Sequence, residues 1–526
     1  MKIELDLGNP NFTLLHRAGL AGLWMSLRQL GRETQVENRP GGLDWQCDRR
    51  RVILSWNGND LEVMNWLLQE SFQLKDGVIC LRGLDSKTMD IQNQMILHQG
   101  ILGTFLQHNK THTKLGNEQK SFQLDEEHPP LVVQYKSLSG YVYQEFAKNL
   151  CDREGNLSKE PLKVPGWLNP GAVVRHTAFS GQTSFEEPPE FALVLLFACV
   201  GCCYYILRSQ LRDKRAQYAL VIPEVRDLET YAKYRQQSKL RLQGYQDFYA
   251  CGLGDAGLRF LTAETTINIT ETYGVSSCQV VTLGTVSWSA QQKTRTDLYL
   301  VKADDEICQV YQDCQSYFRD RIVKGKNDTS FIARSFAREI ITENLVKSQP
   351  WYLGLSDYVN SNESFQKLTY EREGLYKMVQ KLKPETKRLF VQACHECLYF
   401  TYGKARGKFK DKKNNELTLE EKKIIESNIN RENVKIRTSL TRCRNAESFR
   451  EFMVKFWARA GNIPTLREHW NEFIDMMTGQ ANWKETRDLA LLALASYKRP
   501  QIFQQNDNDE NQEDIPEYDP PDILDL

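Results

Sequence analysis

Short motifs that mark common hydrolases are missing from this sequence. It has neither a GxSxG nucleophile elbow nor an HExxH zinc-binding pair, and the acidic cluster Asp304, Asp305 and Glu306 stands alone. The N-terminal segment MKIELDLGNPNF carries acids where an export signal needs a basic start followed by an apolar run. These absences predict a protein that is not an enzyme and that stays in the cytoplasm.

Long apolar runs are also scarce. One stretch, from Phe191 to Leu207, has seventeen uncharged residues, which is the lower limit for a membrane span. Its content of Val, Phe, Tyr and Cys, and the second apolar run AQYALVIPEV shortly afterwards, favour buried strands or a core helix. We therefore predict no membrane partner, and a membrane-associated scaffold is kept as an alternative.

Convincing cofactor and metal motifs are absent as well. The thirteen cysteines are odd in number and scattered, which is typical of a reducing compartment. The string CHEC at 394–397 could be half of a zinc site, but no second ligand pair follows, so core packing is the better interpretation. The string GLGDAG at 252–257 is interpreted as a glycine-rich turn. Glu385 and Lys387 imitate the end of a nuclease motif, but an acid that starts a helix is the better interpretation of this pair. A metal-dependent nuclease is kept as the enzymatic alternative.

Basic residues are missing after Arg499, where nine acids follow. Lysine plus arginine and aspartate plus glutamate number 68 each over the whole chain, so residues 1–500 carry a net charge of +9. An excess of positive charge outside the tail favours a polyanionic partner. The acids are Asp507, Asp509, Glu510, Glu513, Asp514, Glu517, Asp519, Asp522 and Asp525.

The predicted fold class is α+β, in three parts. Residues 1–363 form a large mixed α+β domain, 364–500 a basic helical bundle, and 501–526 an acidic, disordered tail. Short apolar runs alternate with helical patterns, and a helix from Thr13 to Leu30 contains glycines that allow another backbone to come close. Strands are predicted at Ile3–Leu7, Arg51–Trp56, Val78–Arg82, Pro130–Tyr135, Ala219–Ile222, Gln279–Trp288 and Asp297–Lys302.

Helical periodicity is clearest in the bundle. An apolar stripe runs from Phe449 to Ala460 at intervals of three and four residues, and Gly461 follows it. Thr418 and Glu421 have the spacing of a capping box, and Trp483 to Ser496 predicts a final helix.

Clusters of cations are the strongest functional signal. Two clusters in the bundle and one near the N-terminus predict phosphate-binding surfaces, because each neutralised phosphate releases counterions. Their members are Lys404, Arg406, Lys408, Lys410, Lys412 and Lys413, then Lys435, Arg437, Arg442 and Arg444, and finally Arg49, Arg50 and Arg51.

Three longer strings carry a family resemblance. They are FTLLHRAGLAGLWMSLRQL near the start, GWLNPGAVVRHTAFSGQTSFEEPPEFALVLLFACVGCCYYILRS with RAQYALVIPEVRDLE in the middle, and ANWKETRDLALLALASY near the end. They resemble the large subunit of type I CRISPR Cascade complexes, in the Myxan group allied to subtype I-B, with a transposon-associated version as one option.

The resemblance implies a non-catalytic subunit that recognises a protospacer-adjacent motif in duplex DNA and assists R-loop formation. Implied partners are the crRNA-handle, backbone and small subunits, target DNA, and a downstream helicase-nuclease or transposition adaptor. The resemblance supplies no short sequence motif that identifies the residues that read the protospacer-adjacent motif. The segment 108–120 lacks apolar periodicity and is predicted to be a mobile loop. The hydrogen-bond donors of this segment are candidates for contacts with the protospacer-adjacent motif: Asn109, Lys110, Lys114, Asn117 and Lys120. A second candidate patch consists of Arg175 and His176.

A further hypothesis is that the gene encodes a second, shorter protein that starts at an internal methionine. Related systems obtain their small subunit by internal translation of the large-subunit gene. Met378 follows Glu371, Arg372, Glu373 and Gly374, whose codons can spell a purine-rich ribosome-binding sequence.

Overall fold

The chain folds into two structural units in a computed structural model. The first consists of Met1–Gln309 and Asp320–Arg334, and the second of Val310–Arg319 and Ser335–Leu526. The boundary predicted near residue 364 falls inside the second unit. The structure describes residues 1–170, 185–208, 217–236, 238–241, 243–263, 275–288, 291–295, 298–325, 328–409, 412, 416–478 and 483–498. The predicted tail lies outside these residues.

Strands and helices are mixed in the first unit, which confirms the predicted fold class. Its strands are β1 Lys2–Asp6, β2 Asp44–Cys47, β3 Arg51–Ser55, β4 Phe72–Lys75, β5 Val78–Leu81, β6 His112–Phe122, β7 Leu131–Tyr141, β8 Leu162–Lys163, β9 Glu186–Glu187, β10 Cys203–Leu207, β11 Gln217–Val225, β12 Tyr249–Ala250, β13 Val275–Trp288, β14 Gln291–Arg295, β15 Leu298–Lys302, β16 Arg321–Lys324 and β17 Ser330–Ala333.

These strands form several sheets in the part of the chain that the structure describes. The largest has the order β12-β10-β11-β13-β14, with β15 also paired to β13, and a second has the order β16-β17-β7-β6. A three-stranded sheet has the order β1-β3-β2, and β4 with β5 and β8 with β9 form pairs. The helices of the first unit are α1 Leu14–Glu33, α2 Asp60–Ser71, α3 Ile91–Gly103, α4 Ala147–Leu150, α5 Pro189–Leu196, α6 Ala198–Gly201, α7 Leu228–Arg235, α8 Ser238–Arg241, α9 Tyr245–Phe248 and α10 Leu253–Leu261. Helix α11 Asp305–Tyr317 begins in the first unit, and its residues from Val310 onwards belong to the second.

Helix α1 shows why its sequence needs small residues. The Thr13 hydroxyl caps its N-terminus together with His16, and the helix packs against α5 and α6. A β-carbon on Gly19 would lie 2.2 Å from the carbonyl oxygen of Val194, and one on Gly22 would lie 2.0 Å from that of Phe197. Only glycine permits this approach, as the sequence predicted.

The apolar stretch from Phe191 to Leu207 is buried except for Phe191, which is half-buried. It contains most of α5, all of α6 and the strand β10, so both predicted alternatives, core helix and buried strand, occur in it. Among the described residues, no helix is long and apolar enough to cross a membrane.

Two predictions about local structure were wrong. The GLGDAG string is not a turn: Gly252 precedes α10, and Gly257 lies within it, where a β-carbon would come 2.7 Å from a methyl group of Val301. The segment 108–120 is not a loop, because most of it is β6, paired antiparallel with β7. The strand β6 lies at the edge of its sheet and is mostly exposed, so it lacks the apolar alternation that identifies strands.

Helices dominate the second unit, as predicted. The apolar stripe from Phe449 and the final helix are confirmed, and so is the capping box of Thr418 and Glu421. Gly461 has a φ of 82°, a left-handed conformation that suits a residue just after a helix. The helices are α12 Phe336–Leu345, α13 Leu355–Tyr358, α14 Asn362–Thr369, α15 Arg372–Val379, α16 Glu385–Ala405, α17 Leu419–Arg442, α18 Ala446–Ala458, α19 Pro464–Glu468, α20 Trp470–Thr478 and α21 Trp483–Ala495.

Residues before Met378 complete the interior of this unit. The carboxylate of Asp488 on α21 accepts hydrogen bonds from the backbone N–H groups of Gly354 at 2.7 Å and Ser356 at 3.2 Å. The Arg437 guanidinium donates to the carbonyl oxygen of Val359 at 2.8 Å. A fragment that starts at Met378 would lack these partners, so we expect it to need a neighbouring subunit that covers the exposed groups.

Candidate nucleic-acid interface

Helices α16 and α17 supply most of the candidate interface. Helix α16 begins after Pro384 with Glu385 in its first turn, where a carboxylate favours the helix N-terminus. Its buried face includes Phe390 and Cys394. The long helix α17 has buried residues only from Asn433 onwards, so its first half is largely solvated.

Polar contacts fix the end of α16 against α17 and α18. The Tyr402 hydroxyl donates to the Asn433 side-chain oxygen at 2.5 Å, and both groups are buried. The Asn428 side-chain amide donates to the carbonyl oxygen of Ala405 at 3.2 Å, which satisfies one carbonyl at the end of α16. The Lys404 ammonium donates to the carbonyl oxygen of Arg459, just after α18. The three helix segments are thus held in one arrangement.

An open groove of about 350 Å³ lies where these segments meet. Four cations and one carboxylate line it, so its formal charge is +3. We call it the basic groove; its lining residues are Thr401, Lys404, Ala405, Asn428, Arg431, Glu432, Lys435 and Arg459.

The cations of the basic groove differ in how far they are already compensated. Lys435 forms a 2.5 Å ion pair with Glu432, and Lys404 is bound to a carbonyl oxygen. Arg431 and Arg459 are exposed, and neither has a carboxylate partner in the part of the chain that the structure describes. A guanidinium presents a planar set of donors that fits a phosphate or carboxylate in a bidentate way. The groove is therefore suited to an anion with several oxygens.

The first predicted cluster lies only partly in this groove. Of its members, Lys404 lines the groove, while Arg406 donates to the carbonyl oxygen of Lys412 at 3.0 Å and Lys412 pairs with Glu421 at 2.7 Å. These two cations are therefore partly occupied by contacts within the linker. Lys410, Lys413 and the side chain of Lys408 lie outside the described residues.

The second predicted cluster is divided by the turn of the helix. Lys435 lines the basic groove, and Arg442 and Arg444 are exposed beyond it. Arg437 is only 5% exposed, and its guanidinium is held by Val359 and the Asn362 side chain. A phosphate cannot reach it, so its assignment to a phosphate surface is corrected: it is a structural residue of the bundle.

Each arginine of the third predicted cluster lies within 4.0 Å of at least one carboxylate. Arg49 lies 3.5 Å from Glu229, and Arg50 lies 4.0 Å from Asp6. Arg51 pairs with Glu4 at 3.5 Å and with Asp48 at 3.2 Å. Since these carboxylates compensate the charge, this surface offers a phosphate much less than three free arginines would.

The described candidates for contacts with the protospacer-adjacent motif lie on the edge strand β6 or just before it. Asn109 and Lys110 are exposed in the 3₁₀ turn Asn109–Thr111, immediately before β6, and Lys114 and Asn117 are exposed on the strand. Lys120 is half-buried, and its partner across the hairpin is the buried residue Val133. Arg175 and His176 lie outside the described residues.

Sequence reasoning missed Arg431 and Arg459. Asn428, Arg431 and Lys435 are spaced three and four residues apart, so the helical pattern of α17 could have placed them on one face. No local signal connects them with Arg459, which reaches the groove only because α18 packs beside α16.

The CHEC segment is part of the core, as predicted. Cys394 and Cys397 are buried, and burial raises the pKa of the Cys397 thiol to about 12. Burial likewise lowers the pKa of His395 to about 4, and its Nε2 lies 3.0 Å from the carbonyl oxygen of Ala493. Within the described ranges, no group of three or more His, Cys, Asp and Glu side chains could hold a metal ion.

Comparisons with known proteins match both ends of the chain. The model of the DevT N-terminal domain matches residues 4–196, and the model of the DevT C-terminal domain matches residues 379–524. The chain is 28% identical over 530 aligned positions to the CRISPR-associated protein Cas8a1/Csx13 of Myxococcus xanthus (strain DK1622), with 94% of this chain and 88% of the relative covered. The second match includes every residue of the basic groove.

Proposed function

We propose, from the premise that this chain belongs to the DevT family, that it is the non-catalytic large subunit of a CRISPR Cascade complex and binds nucleic-acid phosphates in the basic groove. The similarity to a CRISPR-associated Cas8a1/Csx13 protein over nearly the whole chain supports the role in a CRISPR complex. The convergence of Lys404, Arg431, Lys435 and Arg459 from three helices carries the assignment of the site. Such a protein acts in the cytoplasm, where guide RNA and target DNA meet.

The two units have different tasks in this proposal. The exposed donors Asn109, Lys110, Lys114 and Asn117 contact the protospacer-adjacent motif in duplex DNA, while the basic groove follows a strand of the opened duplex and so assists R-loop formation. Guide pairing supplies most of the sequence specificity. Partners of the proposed subunit are the crRNA-handle, backbone and small subunits, and a downstream helicase-nuclease or transposition adaptor.

Neutralising the basic groove tests the assignment. The variant K404Q/R431Q/K435Q/R459Q should bind an oligothymidine strand more weakly, and its affinity should depend less on salt. Each lost phosphate contact lowers the log–log salt slope of a single strand by about 0.7, so four contacts lower it by up to about 2.8. Titrations at several salt concentrations, followed by fluorescence anisotropy, measure both quantities.

A control with the same change in charge separates the groove from the general field of the protein. Lys2, Lys87, Lys233 and Lys324 lie in the first unit, are exposed and pair with acids, and K2Q/K87Q/K233Q/K324Q removes the same four charges. The control variant should keep most of the affinity and of the slope. Equal losses in the two variants would show that net charge, not the groove, determines binding.

Motif recognition requires a separate experiment within the assembled complex. Replacing Asn109, Lys110 and Lys114 with alanine should reduce discrimination between good and bad adjacent motifs, because base-edge donors are lost. Binding to a target with a pre-opened bubble should survive. Alanine at Gln119 and Ser121, which are exposed further along β6, serves as the control. An equal loss of affinity for both targets would contradict motif reading by these residues.

A further inference from the structure

The acidic segment after Arg499 has the charge that the basic groove requires. Residues 507–525 contain nine carboxylates and no lysine or arginine. Four cations and one carboxylate face the groove, and the exposed guanidinium groups of Arg431 and Arg459 have no acidic partner among the described residues. Carboxylates can accept the same bidentate hydrogen bonds from arginine as phosphates do.

The last described residues before this segment pack against α16, one wall of the groove. Helix α21 ends at Ala495, and the ring of Tyr497 packs edge-on against the ring of Tyr402 with 4.8 Å between centroids. Tyr402 follows the groove residue Thr401 on α16 and lies two residues before Lys404. The last described residues before the acidic segment are therefore anchored on the helix that forms one wall of the groove.

Chain length permits the segment to reach the cations. Nine peptide steps separate Lys498 from Asp507 and span up to about 30 Å when extended. Along α16, the rise from Tyr402 to Ala405 is only about 4.5 Å. Because the acids are tethered so close to the groove, their effective concentration there is on the order of millimolar.

We propose that residues 507–525 bind in the basic groove and compete with nucleic-acid phosphates, an inference that rests on the proposed function of the groove. A strand that makes few contacts cannot displace the segment. A strand held in place by guide pairing makes many contacts at once and displaces it. The segment thereby suppresses binding to nucleic acid that does not match the guide.

A cycle of four full-length proteins tests this proposal. The first is wild type, and the second carries asparagine or glutamine at all nine acids. The third is the groove variant K404Q/R431Q/K435Q/R459Q, and the fourth combines both sets of changes. Affinity for oligothymidine is measured for each at one salt concentration.

If the acidic segment docks in the groove, the effect of neutralising the nine acids on affinity should depend on whether the groove cations are present. Neutralising the acids should tighten binding on the order of tenfold when the groove is intact. In the groove variant, the same change should alter the affinity less than about twofold, because the acids have lost their binding site. Equal tightening in both backgrounds would mean that the segment acts through overall charge, which overturns docking. No tightening in either background also overturns it.

The two failures can be told apart. If the groove changes leave the affinity of the neutralised protein unaltered, the groove does not bind nucleic acid, and the proposed function of the site fails. If they weaken it while the acids have no effect, only the docking proposal fails. As a second measurement, a peptide of residues 501–526 should compete with oligothymidine for the neutralised protein, whereas the same peptide with amides for the nine acids should not. Equal competition by both peptides would contradict charge recognition in the groove.

Discussion

Replacing Asp488 with alanine is expected to destabilise the second unit by about 3 kcal/mol. The side chain is only 1% exposed and accepts the backbone N–H groups of Gly354 and Ser356. Gly354 precedes α13 and has no side chain to cap it, so a carboxylate from α21 performs this role. Alanine leaves both buried donors unsatisfied and removes the partner of Arg487, whose guanidinium lies 3.5 Å from the carboxylate.

Urea unfolding followed by tryptophan fluorescence measures this change, since Trp457, Trp470 and Trp483 all lie in the second unit. The matched control is Glu451→Ala, which removes an exposed acid paired with Lys455 and should leave the midpoint unchanged. An Asp488→Ala midpoint equal to that of wild type would show that water replaces the carboxylate without cost.

Acidification is expected to destabilise the first unit through His98. Its Nδ1 accepts the backbone N–H of Ile79 at 3.1 Å, and its Nε2 donates to the carbonyl oxygen of Lys136 at 2.7 Å. A proton on Nδ1 would place the N–H of the ring against the backbone N–H of Ile79. Burial lowers the pKa of His98 to about 4, and the nearby His112 adds a smaller unfavourable charge.

The sign of the effect follows from this lowered pKa. An unfolded histidine binds its proton near pH 6.5, whereas folded His98 stays neutral until the pH falls to about 4. Between these two pH values, unfolding therefore takes up a proton. The stability that depends on neutral His98 is fully present above pH 6.5 and is lost as the pH falls towards 4. At pH 5, the loss amounts to about 2 kcal/mol.

The variant His98→Gln isolates this contribution. Glutamine keeps one acceptor and one donor but does not titrate, so the difference in unfolding free energy between wild type and variant should shrink as the pH falls from 7 to 5. Because other titrating groups are common to both proteins, their effects cancel in the difference. A difference that stays constant with pH would show that His98 does not control acid stability.

Local patterns predicted the helices of the second unit well. The stripe from Phe449 to Ala460 and the pair Thr418 and Glu421 are signals within one helix, and the same residues form the buried face and the capping box of the structure. Such features depend on neighbours three or four residues away, which the sequence displays directly.

The edge strand β6 could not be recognised in this way. A strand with one face in the core shows alternating apolar residues, but β6 is exposed along most of its length. Its backbone is held extended by hydrogen bonds to β7 from His112 to Phe122. This pairing depends on a second strand, so the sequence of β6 alone does not show it. The candidate residues Lys114 and Asn117 are consequently held on a sheet edge.

Sequence by itself determined the α+β fold class, the helical character of the C-terminal part, the core position of the CHEC segment and the family resemblance. Tertiary structure alone decided which cations share a site. Lys435 and Arg437 are two residues apart, yet one faces the basic groove and the other is buried against Val359, because helix packing selects one face. Arg459 is distant in sequence from Lys404 but lies beside it in the groove. Periodicity records the burial of each element, whereas the choice of neighbours depends on long-range packing that no local pattern contains.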